Sequence, residues 1–116
     1  MMRFDDLVLV RLIRVADRPE LDADEEDRVQ DAHLAHVHAM WESGVLIAAG
    51  PVDGEGDVVG VSVMTCGLDE ARRLCDEDPG AVAGRFTAEV TAWHVPAGML
   101  VGGPGRPPAS VADVLA

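Results

Sequence analysis

Residues 7 to 15, Leu-Val-Leu-Val-Arg-Leu-Ile-Arg-Val, carry charge at two places and are otherwise aliphatic and largely β-branched, the signature of a strand. Alternation puts Leu7, Leu9 and Ile13 on one side and Val8, Val10 and Leu12 on the other, so this strand is expected to be central and covered on both faces. The period then lengthens. From Asp24 to Ser43, at 100° per residue, Val29, His33, Val37, Met40 and Gly44 fall on one arc flanked by Leu34 and Trp41, which predicts a helix stopped by Gly44. His33 lies within the apolar stripe, His36 at its edge, and His38 points away.

Val45–Val52 reads as a second strand ending in Gly50-Pro51, and Asp53-Gly54-Glu55-Gly56 as a turn. Residues 57 to 65 alternate, with Val59, Val61 and Val63 opposite Gly60 and Ser62, predicting the other arm of a hairpin. Leu68, Ala71, Arg72 and Cys75 have helical spacing, in a second helix expected to end at Asp78, the residue before Pro79. Residues 85 to 95 form the last strand, with Phe86, Ala88, Val90 and Ala92 on one face and Glu89, Thr91 and Trp93 on the other. Residues 96 to 108 hold four Gly and four Pro, so 96–116 is expected to be an irregular tail, flexible or polyproline-like, with one helical turn at most beyond Ser110.

The order strand-helix-strand-strand-helix-strand predicts an α+β fold over residues 1–95: a ferredoxin-like βαββαβ plait, a four-stranded antiparallel sheet with two helices on one face. The other sheet face is then uncovered and apolar. A homodimer packed sheet against sheet is the expected remedy.

Composition narrows the chemistry. Acidic residues outnumber basic ones 21 to 9, a net charge of −12 that argues against nucleic-acid partners and membrane surfaces. Eight of the acids fall between Asp17 and Asp31, where they suit a solvated loop and the positive end of a helix. All the basic residues are Arg, and Lys, Tyr and Asn are absent, which removes Schiff-base lysines and tyrosine nucleophiles. No dinucleotide, phosphate-loop or metal-binding motif occurs, so no cofactor and no metal is expected. His33 and His36 have metal-compatible spacing but no third ligand at a recognisable distance. The opening residues lack a cleavable signal pattern, and Cys66 and Cys75 read as reduced thiols in a cytoplasmic protein.

The plait brings the end of the second helix beside the first half of the first helix, and so Asp78 towards His33, 45 positions away. An Asp bonded to one imidazole nitrogen fixes the tautomer and leaves the other nitrogen free for proton transfer. The same histidine, taken alone on an apolar helix face, also fits a hydrogen-bonded core residue. Arg11 and Arg85 are candidates to hold a substrate carboxylate, with surface ion pairs as their other use.

The pieces Ala32-His33-Leu34-Ala35, Gly44-Val45-Leu46-Ile47-Ala48-Ala49-Gly50-Pro51, Leu68-Asp69-Glu70-Ala71, Asp76-Glu77-Asp78-Pro79 and Ala83-Gly84 resemble, in order and spacing from about residue 7 to 95, the YCII-related (YciI-like) domain family. The resemblance implies a dimeric α/β-barrel of the ferredoxin-like type and a pocket in which His33 and Asp78 are the catalytic pair. It also implies general acid/base chemistry, of proton-transfer, isomerase or lyase type, on a small organic molecule. Gly50 and Pro51 shape the backbone of that pocket, and Arg11 and His36 complete the candidate substrate-binding set. Gly80 departs from the family pattern, which usually carries a bulky aromatic there. The competing reading is a non-catalytic dimeric module that binds a metabolite or serves another protein, with His33 kept for packing.

Overall fold

Strand β1 (Phe4–Arg14) pairs antiparallel with β4 (Phe86–Pro96) along its whole length and with β3 (Val58–Met64) on its other side. β2 (Leu46–Pro51) closes the order β2-β3-β1-β4. The computed structural model describes all 116 residues, and its sheet is the antiparallel four-stranded sheet of the plait, with α1 (Ala23–Glu42) and α2 (Leu68–Asp76) following β1 and β3. Two short helices, α3 (Pro79–Val82) and α4 (Val111–Leu115), complete the chain.

Local chemistry explains the boundaries. Asp22 caps α1, its carboxylate accepting the Glu25 N–H at 2.8 Å, and Asp24, Glu25 and Glu26 occupy the positive first turn. Gly44 ends the helix at φ +83°, as the sequence predicts, and its N–H bonds the Trp41 carbonyl. The second helix stops earlier than expected. It ends at Asp76, and Asp78 takes extended dihedrals (φ −59°, ψ 126°) because Pro79 disfavours a helical residue before it. Asp78 is therefore not the last residue of α2 but the N-cap of α3, with Pro79 in the first helical turn.

The register divides β1 as alternation requires. Val8 and Val10 join Leu46, Met64, Ala71 and Cys75 in the core beneath the helices, while Leu7, Val63 and Val95 cluster on the opposite face. One residue departs from the predicted alternation. The ladder shifts between Leu12 and Ile13, paired with Gly60 and Val58, so Val59 falls in a bulge rather than in the row of Val61 and Val63.

The tail is docked against the domain. Leu100 packs against the cluster of Leu7, Val63 and Val95 on the sheet face away from the helices, and Gly102 lies against Ile47. The chain then reaches α1, where the Pro107 carbonyl meets His38 Nδ1 at 3.1 Å and Asp31 accepts the Val111 N–H at 2.7 Å. Gly and Pro exclude a regular helix here, but an irregular segment can still bury side chains and satisfy its backbone through side-chain partners. No helix is long and apolar enough to cross a membrane.

Candidate active site

Helix α1 has 20 residues and none is fully buried, although its apolar stripe is the one the sequence predicts. The stripe is the wall of a cavity. Leu34, Val37 and Met40 line one side of a space of about 510 Å³, and Leu12, Met64 and Pro51 line others. Pro107, Pro108 and Val114 of the tail roof it, so a segment read from sequence as an appendage supplies part of the lining. Gly50 also borders this cavity.

His33 and Asp78 meet at the edge of this space. His33 Nδ1 lies 2.9 Å from both carboxylate oxygens of Asp78, whose side chain is 6% exposed against 16% for the imidazole. Asp78 Oδ1 also accepts the Gly80 N–H at 2.8 Å, so the cap that starts α3 is the same group that orients the histidine. A carboxylate can only accept, so Nδ1 carries a hydrogen, and in the neutral ring the lone pair lies on Nε2, which no protein group bonds. Such an imidazole can take a proton from a guest molecule and return it elsewhere.

Phe86 fixes the ring from a second side, edge-on, with centroids 5.3 Å apart and planes at 68°. The position of Phe86 depends on Gly80. A Cβ at residue 80 would run into the Phe86 ring edge, closer than real contacts come. Phe86 thus reaches from β4 into the space beside Gly80, a contact that strand alternation does not reveal.

A second, more polar cavity of about 420 Å³ opens on the other side of His33. Arg14, Arg18, Arg85 and Glu26 line it, and Gln30, His33, Val59 and Phe86 border both spaces. Arg85 is buried, donates to the Pro19 carbonyl at 2.7 Å and pairs with Glu26, while its Nε has no partner. Arg14 and Arg18 make no ion pair. Neither was singled out from sequence, since one arginine ending a strand and another within an acidic run follow no motif.

Two of the expected ligand-binding residues lie elsewhere. Arg11 projects from the sheet face opposite the helices, in register with Glu89, and pairs with it, so it cannot reach the cavities. His36 spends Nε2 on the Leu74 carbonyl at 2.9 Å, tying α1 to α2, and lines neither cavity. No cluster of three metal-ligating side chains exists. Both thiols are free; burial pushes the Cys75 thiol up to about 11 and raises that of Cys66 as well.

No protein-family model matches the chain, and no curated protein matches it. Among solved structures, the chain is similar to 5-chloro-2-hydroxyhydroquinone dehydrochlorinase (TftG) from Burkholderia phenoliruptrix AC1100, in its complex with 2,5-dihydroxybenzoquinone. The match has a TM-score of 0.54 at 22% identity and covers 75% of this chain and 92% of that one. It establishes a shared α+β plait.

Proposed function

We propose that this protein is a small cofactor-independent enzyme of the YCII-related type, with His33 as general acid/base and Asp78 as the residue that orients it. The single observation carrying the reading is the bond of His33 Nδ1 to a buried carboxylate beside a largely apolar cavity of about 510 Å³. The reaction class is proton transfer, isomerisation or elimination on a small organic molecule. In an elimination, Nε2 accepts a proton from the substrate while the leaving group departs with the electron pair of its bond, so no oxidant or reductant is needed. The similar structure supports this choice, because its name describes removal of hydrogen chloride from a small ring compound.

The same reading makes residues 1–95 the catalytic domain and 96–116 its tail. It has the protein act in the cytoplasm as a homodimer joined through the sheet face that the helices leave uncovered.

The test is a turnover screen over lactones, chlorinated and hydroxylated aromatics and small carbonyl acids, run with wild type, His33→Gln and Asp78→Asn. The expected outcome is a loss of about 10²–10⁴-fold in kcat for His33→Gln with an unchanged circular dichroism spectrum. Turnover within twofold of wild type overturns the assignment. If compounds bind but wild type converts none of them, the molecule is the binding module instead.

A further inference from the structure

The polar cavity has no part in proton transfer as described, yet its lining is unusual for this chain. Three arginines and one glutamate line it, in a protein whose acids outnumber its arginines 21 to 9. Arg85 is committed to Glu26 and to the Pro19 carbonyl, and it braces the wall. Arg14 and Arg18 are exposed residues of the lining and form no ion pair. The Val15 N–H donates to the Arg85 carbonyl at 3.3 Å, which holds the end of β1, and Arg14 with it, beside Arg85.

Placement matters as much as charge. Gln30, His33 and Phe86 border both cavities, so the arginine-lined space and the apolar space meet at the imidazole. A guest spanning both would have a charged end on one side of His33 and a hydrocarbon body on the other. Arginine suits that charged end because its planar fork matches a carboxylate bidentately.

We infer that the polar cavity is an anion subsite in which Arg14 and Arg18 hold the carboxylate of a small amphipathic organic acid, setting the atoms next to that carboxylate against Nε2 of His33. This deepens the proposed function and rests on it for the reaction, though not for binding. A strongly acidic protein repels an anion at long range, so a local cationic pocket is what such a substrate requires at close range.

The test uses the full chain and a matched pair of probes, phenylacetate and its neutral isostere phenylacetamide, titrated with isothermal calorimetry and followed through the His33 side-chain resonances. Phenylacetate is expected to bind wild type and shift the His33 signals. In Arg14→Gln/Arg18→Gln its affinity should fall about tenfold, as expected for the loss of charged hydrogen bonds. The charge-matched control Arg3→Gln/Arg28→Gln, at arginines outside both cavities, should bind as wild type does. Added salt should weaken phenylacetate binding to wild type and leave the double variant nearly insensitive. Equal affinity for acid and amide, equal losses in both double variants, or no binding of phenylacetate at millimolar concentration would each overturn the subsite. Binding that depends on Arg14 and Arg18, together with turnover that survives His33→Gln, would retain the subsite and remove the catalytic role.

Discussion

The two faces of β1 are made of similar residues and meet different fates. Val8 and Val10, at 3% and 1% exposure, are sealed beneath the helices, whereas Leu9 and Ile13 are only half-buried and Arg11 is exposed beside Glu89. On the far side, Leu7, Val63 and Val95 are covered through contacts that include Leu100 from the tail, and Trp93 remains 39% exposed. Burial here is decided by what lies over the strand and not by what the strand is made of. The site chemistry follows the covered face, since Asp78, His33 and Phe86 all sit among the elements packed there.

The comparison can be strained experimentally at three depths. Met64, fully buried under the helices, should lose about 2–5 kcal/mol of unfolding free energy on substitution by Ala, measured by urea denaturation. A loss below about 1 kcal/mol would mean that the helix face is not the closed core described. On the other face, Leu9→Asp should leave the secondary structure intact while converting a dimer into a monomer in sedimentation velocity. A wild type that sediments as a monomer, or a variant that stays dimeric, removes the sheet-to-sheet pairing.

The smallest effect is a titration. The chain has no Lys or Tyr, so the thiols are its alkaline-titrating side chains short of the arginines, and Cys75 is the one pushed up to about 11. Cys75 in the unfolded chain ionises near 9 but in the folded core only near 11, so the unfolded state binds fewer protons in that window. Stability should therefore be constant in this respect below pH 9 and decline as pH rises towards 11. The urea midpoint followed from pH 8 to 11 should slope less in Cys75→Ala, and an identical slope would contradict a buried thiol on the helix face.

The α1 stripe and the place of His33 within it follow from a helical period alone, and Asp78 could be brought near it because the plait fixes where the second helix ends. Arg11 shows where the pattern stops. Since β1 is apolar on both sides, alternation separates its two rows without saying which one faces the helices, and Arg11 lies in the row that does not. His36 stood correctly at the edge of the stripe, but its partner is a backbone carbonyl 38 residues away, which leaves no trace in side-chain spacing. The role of Asp78 as the cap of α3 is legible in Asp78-Pro79, because proline suits a first helical turn as well as ending the helix before it. The tail illustrates a further limit: Gly and Pro content states which regular structures are excluded and is silent on where an irregular chain docks.

The clash between a Cβ at residue 80 and the Phe86 ring couples these two positions sterically. An aromatic side chain cannot enter position 80 while Phe86 is present, so in any engineered series the strand residue must shrink first. Phe86→Ala by itself would reshape the wall, whereas Gly80→Phe by itself would displace the ring that steadies the imidazole. Directed evolution towards new substrates should accordingly randomise both codons together, since single-site libraries would miss every combination that needs the pair.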